Sequence, residues 1–247
     1  MKSATIYAEC FSMIIGICNY CKKEYRKREQ KYKFCSLYCA NNFNKNGLVK
    51  VKLPKLSTSL AEFVGICLGD GHISNYQTSI TLNSIADKDY IPYVVNISRL
   101  LFPDVSISLI KKKYEQATDV RLNSKMVSDF FYNMGIIPHY KKVPTWIFSK
   151  LAYRKACVKG LFDTEGSTSQ KIYLSQKGPR TYYQFNFRNY DKEIMRFVRD
   201  VLLEISLKPT MTLKHSLYIS NLRDIKIYMK NIGSGNPKLS QKFADIT

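Results

Sequence analysis

One short pattern occurs twice in this chain of 247 residues, and it constrains the fold more than any other feature. Residues 60–71 read LAEFVGICLGDG, and residues 155–166 read KACVKGLFDTEG. Both runs end in an acid followed by glycine, with a constant separation of 95 residues, as from 70 to 165 and from 71 to 166. This constant spacing predicts an internal repeat and therefore two halves of similar fold.

If both runs are helices, small residues recur every four positions along one face of each. These are Ala61, Gly65 and Gly69 in the first run and Ala156, Gly160 and Thr164 in the second. Side chains this small allow two helix backbones to approach closely. We therefore predict a tight helix crossing, with Gly71 and Gly166 ending the two helices as C-terminal glycine caps.

The acids of the repeat, Asp70 and Glu165, then lie at neighbouring helix C-termini. A carboxylate there faces the negative end of the helix dipole, and here it also faces a second carboxylate. Bound divalent cations would offset both effects, and Mg²⁺ suits hard oxygen ligands. The alternative is that both are solvated acids at the end of a helical hairpin.

These two motifs resemble those of the LAGLIDADG homing endonucleases, in the single-chain form that carries two copies. The resemblance extends from about residue 57 to the C-terminus. Glu165 stands where Asp is commoner, and Gly69 and Thr164 replace the family's common small residues. The resemblance implies an α+β fold of two pseudo-symmetric αββαββα-like halves that form a DNA-binding saddle. It also implies that Asp70 and Glu165 each bind the metal that cuts one DNA strand.

The same resemblance indicates groups that would assist the acids. The family usually places Lys or Gln near each metal on the strand after the motif, where this chain has Asn83 and Arg188. Lys141 and Lys142 resemble a lysine that precedes the second motif in related enzymes, and pseudo-symmetry adds Lys238 for the other half. The candidate catalytic residues besides the acids are Lys142, Lys238, Arg188 and Asn83. Each could instead be a phosphate contact or a solvated charge.

Four of the seven cysteines follow a metal-ligand pattern. Cys18 and Cys21 form one pair, and Cys35 and Cys39 form a second pair after 13 intervening residues. Two such pairs suit one tetrahedral Zn²⁺, and the basic, aromatic residues between them suit contact with DNA phosphate. Disulfides, which would require secretion, or unliganded cysteines are the alternatives.

The patterns divide the chain into three segments: residues 1–50 as zinc-finger module and linker, 51–150 as the first LAGLIDADG half, and 151–247 as the second. Alternating stretches predict strands, such as 78–83, 171–175 and 182–188, and amphipathic stretches predict helices, such as 124–134, 192–205 and 222–232. The predicted elements follow the same order in both halves.

The charge of the chain favours a nucleic-acid partner. It carries 39 Lys and Arg against 19 Asp and Glu, a formal net charge of +20. We find no transmembrane span and no clear signal peptide, so we expect the cytoplasm or an organellar matrix. The splicing residues of an intein are missing, which favours a freestanding or intron-encoded protein.

The resemblance, together with the cysteine pattern and the basic charge, implies a monomeric homing endonuclease with catalytic Mg²⁺ and structural Zn²⁺. It would make a staggered double-strand cut in a long double-stranded DNA target. The alternative is a non-cleaving nucleic-acid-binding protein on the same scaffold, either an intron RNA maturase or a DNA-binding regulator. Retention of both acids favours the nuclease.

Overall fold

The computed structural model describes residues 14–27, 29, 31–46, 51–137, 140–175, 178–212 and 215–244. These fall into two compact units, one within Met1–Lys50 and the other within Val51–Thr247. Among the helices in the described ranges, none has the length and apolar character needed to cross a membrane.

The smaller unit is an antiparallel hairpin followed by a helix. Strands β1 (Ile14–Ile17) and β2 (Glu24–Lys27) pair with each other, and α1 is Leu37–Asn46. Cys18 and Cys39 are buried, whereas Leu37 is 83% exposed. Few residues of this unit are buried among those that the structure describes, and so small an apolar core usually depends on a metal or on disulfides for its stability.

The first half of the larger unit has the order αββαββα. Its elements are α2 (Thr58–Asp70), β3 (Gly71–Ile73), β4 (Thr78–Asn83), α3 (Ile91–Leu101), β5 (Ile107–Lys111), β6 (Ala117–Leu122) and α4 (Lys125–Asn133). The four strands form an antiparallel sheet in the order β3-β4-β6-β5. A short hairpin, β7 (Ile136–Ile137) and β8 (Tyr140–Lys141), and a 3₁₀ turn (Thr145–Ser149) lead to the second half.

The second half repeats this order. Its elements are α5 (Leu151–Glu165), β9 (Gly166–Ser175), β10 (Gly178–Arg188), α6 (Lys192–Glu204), β11 (Thr210–Thr212), β12 (Ser216–Ile219) and α7 (Leu222–Asn231), followed by α8 (Pro237–Ala244). Its sheet order, β11-β12-β10-β9, corresponds strand for strand to that of the first half. The predicted α+β class with two repeated halves is therefore confirmed.

Helices α2 and α5 pack with their backbones in contact. A Cβ atom added at Gly65 would lie 2.1 Å from the carbonyl oxygen of Cys157, and one added at Gly160 would lie 2.1 Å from that of Glu62. Only hydrogen fits at these two positions. The tight crossing predicted from the small-residue spacing is confirmed.

Both motif helices end at the predicted glycines, but by a different conformation. Gly71 has φ −79° and Gly166 has φ −82°, so neither takes the left-handed form of a C-terminal cap. Each leads directly into a strand, and a Cβ would lie 2.4 Å from the Cys67 oxygen at Gly71 and 2.2 Å from the Phe162 oxygen at Gly166. Glycine is needed here for close approach to the preceding helical turn.

Candidate functional site

The two motif acids, Asp70 and Glu165, are the last residues of α2 and α5. The helix crossing brings these ends together: a Cβ at Gly69 would lie 2.1 Å from Thr164 Oγ1 and 3.3 Å from Glu165 Cγ. Both acids are half-buried. The sequence places them there because the small residues that permit the crossing continue to the position before each acid.

Burial dominates the electrostatics of this pair. It raises the pKa of Asp70 to about 7, and the charges of Glu165 and Asp87 add to the rise, against lowering by Lys141 and Lys238. Burial also raises the pKa of Glu165, and Lys141 lowers it. The protein's own cations therefore offset the two carboxylates only in part. Partly desolvated, partly compensated carboxylates fit the donor set of a divalent cation.

A cleft of about 670 Å³ opens beside Glu165. Its lining is mostly polar: Leu68, Gly69, Lys141, Glu165, Ser167, Asn186, Arg188, Asn189, Tyr190 and Asp191. Asn186 Oδ1 is buried and has no hydrogen-bond partner within the described part of the chain. The Arg188 guanidinium, held by a 2.9 Å hydrogen bond to the Tyr190 hydroxyl, supplies positive charge at the rim. This combination could receive a phosphate next to a metal-bound carboxylate.

Lys141, and not Lys142, presents its ammonium to the acids. Its Nζ donates to the carbonyl oxygens of Leu68 (3.1 Å) and Gly69 (2.8 Å) at the end of α2. Burial lowers its pKa, while the charges of Cys67, Asp70 and Glu165 act in the opposite direction.

Lys142 is exposed, with its Nζ 4.9 Å from the ring centroid of Tyr140. Lys141 ends strand β8, and successive residues of an extended chain point to opposite sides, so only one lysine of the pair can face the cleft. The candidate Lys142 thus lies away from the acids, and its neighbour takes the position expected of it.

The remaining candidates have different surroundings. Lys238 lies with its Nζ 3.4 Å from Asp87 Oδ1, and the charges of both residues act on the Asp70 carboxylate. Arg188 belongs to the cleft of Glu165. Asn83 is exposed, and its Oδ1 accepts hydrogen bonds from the backbone N–H groups of residues 85 (2.9 Å) and 86 (2.8 Å). The side-chain oxygen of Asn83 therefore stabilises the turn after β4 by accepting these two backbone hydrogen bonds.

Two acids that the sequence analysis did not select also belong to these surroundings. Asp87 lies beside Lys238, and Asp191 lines the cleft of Glu165. The sequence contains a pattern that could have identified them. The runs DKD at 87–89 and DKE at 191–193 place an acid at the corresponding position of each half.

Other motif residues are structural. Asp163 is buried, and its carboxylate accepts hydrogen bonds from Ser234 Oγ (2.5 Å) and Gly235 N (2.8 Å). Cys67 and Cys157 are fully buried, and burial raises the pKa of the Cys67 thiol to about 12. Both cysteines are therefore small residues of the core.

The four-cysteine pattern is drawn together in the smaller unit. The Sγ atoms of Cys18, Cys21, Cys35 and Cys39 all lie within 4.8 Å of one another. Cys35 Sγ is 3.6 Å from Cys21 Sγ and 3.4 Å from Cys39 Sγ, too far for a disulfide. Tetrahedral zinc with sulfur at 2.3 Å requires sulfur–sulfur separations of about 3.8 Å. The cluster therefore fits a Zn²⁺ site.

Comparison with known proteins gives a result at the level of structure only. No protein-family model matches the sequence, and a search of curated proteins found no match.

The chain is similar to I-DmoI in complex with DNA and Ca (17% identity, 76% of this chain and 97% of that one, TM-score 0.52). It is also similar to I-DmoI with DNA and Mn (18% identity, 71% and 96%, TM-score 0.50) and to a variant of I-SmaMI (13% identity, 79% and 91%, TM-score 0.51). I-DmoI is a homing endonuclease. These likenesses establish the fold, which is the LAGLIDADG architecture that the motifs implied.

Proposed function

We propose that this protein is a site-specific homing endonuclease that makes a staggered cut in both strands of a long DNA target by Mg²⁺-dependent hydrolysis. One observation carries the proposal: two partly desolvated carboxylates, Asp70 and Glu165, meet where the two motif helices cross, with Lys141 beside them. A purely structural helix crossing would not need two acids there whose charges the protein's own cations offset only in part. The fold shared with I-DmoI, whose structures contain DNA, supports the same conclusion.

The residues divide into two sites, one for each DNA strand. Asp70 has Asp87 and Lys238 near it. The Glu165 site is the cleft that also contains Lys141 and Arg188. Because each half of the repeat contributes one acid, a single chain holds both sites, and we propose a monomer.

Bound Mg²⁺, held by Asp70 and Glu165, would supply a water of lowered pKa and a Lewis acid at the phosphate. Lys141 and Arg188 would place positive charge where the phosphorane gathers negative charge at the Glu165 site, and Lys238 would do so at the Asp70 site. Asn186 and Ser167, joined by a 3.4 Å hydrogen bond, would orient the phosphate or its water.

We propose further that Cys18, Cys21, Cys35 and Cys39 hold a structural Zn²⁺ and that the smaller unit adds affinity for DNA. The separations of the four sulfur atoms support the metal. The residues from 22 to 33 include many Lys and Arg, which would contact phosphates rather than take part in hydrolysis.

The experiment is incubation of the purified protein with a plasmid library of random or host-derived sites, in Mg²⁺, in Ca²⁺ and in EDTA. The test variant is Asp70→Asn/Glu165→Gln. The control, Asp129→Asn/Asp200→Asn, removes the same charge from exposed positions on α4 and α6.

We expect a discrete double-strand cut in Mg²⁺ by the wild type and the control, and none by the test variant. Sequencing the ends would identify the target. Tight retention of one DNA sequence without cutting in Mg²⁺ would contradict the proposal and assign the chain to the binding class, with RNA as the next ligand to test.

A further inference from the structure

Asn236 is a buried asparagine just before α8, and it joins three distant parts of the chain. Its Nδ2 donates to the carbonyl oxygen of Asp163 (2.9 Å) and to Asp87 Oδ1 (3.1 Å). Its Oδ1 accepts from the backbone N–H of Lys238 (3.1 Å). One side chain therefore connects the end of α5, the turn before α3 and the start of α8.

The segment that carries Asn236 is also fixed from its other side. The buried Asp163 carboxylate accepts from Gly235 N and Ser234 Oγ, and the same Ser234 oxygen accepts from Asn236 N (3.0 Å). A Cβ on Gly235 would lie 2.7 Å from the ring of Tyr93. The segment has no room to shift without breaking these hydrogen bonds.

Asn236 reaches the Asp70 site through two charged residues. Asp87 Oδ1 accepts from Asn236 and lies 3.4 Å from Lys238 Nζ, while Asp87 Oδ2 accepts from Asn83 N (3.3 Å). Both Asp87 and Lys238 are close enough to Asp70 for their charges to act on its carboxylate. The Asn236 amide therefore fixes the position of the Asp87 carboxylate, which in turn pairs with the Lys238 ammonium.

The Glu165 site is supported differently. Lys141 is held there by the carbonyl oxygens at the end of α2. Asp191, the counterpart of Asp87, accepts from the backbone N–H groups of Glu193 (2.7 Å) and Ile194 (3.2 Å), and thereby caps α6. Asn236 also bonds the backbone of Asp163 near the end of α5, but within the described residues its side chain is hydrogen-bonded to none of the residues that line the cleft of Glu165.

We propose that Asn236 is a positioning residue for one of the two strand cuts: it holds Asp87 and Lys238 at the Asp70 site and has no part in the cut made at Glu165. This inference rests on the proposed nuclease function and deepens it. Without Asn236, Asp87 loses one of its donors and the backbone that carries Lys238 loses its anchor. The Asp70 site then loses the fixed position of Lys238 and keeps only Lys141 as a fixed cation, while the Glu165 site keeps both Lys141 and Arg188.

The test measures the cutting rate of each strand separately, with the full-length protein in Mg²⁺ and a target labelled on both strands. The variants are Asn236→Ala and Lys238→Met, and the control is Asn231→Ala, which removes an exposed asparagine amide from α7. Asp70→Asn identifies the strand that belongs to the Asp70 site, because that strand stays uncut. DNA affinity is measured in parallel with Ca²⁺ in place of Mg²⁺.

We expect Asn236→Ala and Lys238→Met to slow the Asp70 strand by about 10–100-fold, the usual effect of losing an outer support of a metal site. The other strand should change by less than about twofold, so that nicked DNA accumulates, and affinity should be unchanged. A fold defect would slow both strands together. Asn231→Ala should behave as wild type.

Equal slowing of both strands, or of neither, by Asn236→Ala would overturn the inference while leaving the proposed function intact, because the wild type still cuts. If Asn236→Ala does not fold, as judged by circular dichroism, Lys238→Met decides by the same criterion, since its side chain is 39% exposed. A wild type that cuts neither strand would overturn both the function and the inference.

Discussion

Asp70 and Glu165 are charged groups that the fold has moved largely out of water. The chain could have placed them in solvent, but the helix crossing holds them half-buried and close to each other. A carboxyl group whose pKa is raised in the folded state lowers the stability of the protein at any pH where it is ionised. The metal-free protein should therefore be less stable than it would be without these acids.

A stability measurement without metal tests this. The folded-state pKa of Asp70 is raised to about 7 from its ordinary 3.8, so the folded chain keeps a proton that the unfolded chain releases between these values. The contribution of Asp70 to stability therefore falls as pH rises through that window. Asp70→Asn should raise Tm in EDTA at pH 8 by a few degrees and have little effect at pH 4.

Addition of Mg²⁺ at pH 8 should make the Tm of the wild type higher than that of Asp70→Asn. Mg²⁺ stabilises the folded wild type by binding to it, whereas the variant lacks one of the metal ligands. Thermal unfolding followed by circular dichroism gives both results. A variant that is less stable than wild type in EDTA at pH 8 would contradict the assignment of Asp70 as a partly desolvated acid.

The adjacent lysines give a matched pair for a second prediction. Lys141→Met should lower the single-turnover cutting rate at saturating protein by about 100-fold, because it removes a cation from the site. Lys142→Met makes the same change on the exposed side of the chain and should alter DNA affinity at most. Comparable losses of rate in the two variants would contradict the placement of Lys141.

At this scale the sequence predicts what is marked by a motif and misses what depends on distant contacts. The acids and the four cysteines stand in recognisable spacings. The choice between Lys141 and Lys142 depends on which way an extended residue points, which spacing alone does not indicate. Asn236 is hydrogen-bonded to Asp87 and Asp163, which precede it by 149 and 73 positions in the sequence. A local sequence pattern does not predict contacts between residues so far apart.

The crossing of helices α2 and α5 determines where the two acids lie, because each helix carries one of them at its last residue. Gly65 and Gly160 each face the backbone of the other helix. Lys159 also pairs with Glu62 across the crossing, and Tyr93 donates to the same carboxylate. Glu62 is thus a residue of the interface between the two helices.

Gly160→Ala tests the crossing. Alanine favours an isolated helix by about 1 kcal/mol over glycine, but a Cβ here would lie 2.1 Å from the Glu62 oxygen. We expect a net loss of about 3 kcal/mol of unfolding free energy, measured by urea denaturation, as the helices are forced apart. Arg199→Ala, on the exposed side of α6, controls for an alanine introduced into a helix. A stabilised Gly160→Ala protein would refute the close contact.

Periodicity predicted most of the longer elements of the larger unit, but it placed the start of one strand wrongly and did not indicate the last helix. Strand β9 begins at Gly166 and not at residue 171, because Gly166 pairs with Phe187 of β10 across the sheet. The run GSTSQ at 166–170 has no apolar alternation to indicate a strand. Helix α8 was not predicted because it is only 8 residues long, too short for a helical repeat of apolar residues to be evident.

At the scale of the whole molecule, one chain combines a repeated scaffold with a separate cysteine-rich unit. The constant spacing of the motifs predicted the repeat, and the cysteine spacing predicted the unit. Neither indicated that Lys141, from the first half, would line the cleft of Glu165, or that Lys238, from the second, would lie near Asp70. Each half thus contributes a lysine near the acid of the other half, because the two halves pack against each other.

Zinc removal separates the contributions of the two units. Cys21→Ser/Cys39→Ser should lose one equivalent of Zn²⁺ by metal analysis and weaken DNA binding. The dependence of affinity on salt should become shallower, by about 0.9 in slope for each phosphate that the smaller unit no longer neutralises. The cutting rate at saturating protein should stay within about twofold of wild type. An unchanged affinity and salt slope would show that the smaller unit has no part in binding DNA.

The most direct test of the account is to map nicks made by the single variants Asp70→Asn and Glu165→Gln on the identified target in Mg²⁺. Two metal-dependent sites, each with one acid and one strand, predict that each variant nicks the target at the wild-type position. The two variants should leave opposite strands uncut. Loss of the same strand in both, or normal double-strand cutting by either, would contradict the assignment of one carboxylate to each strand.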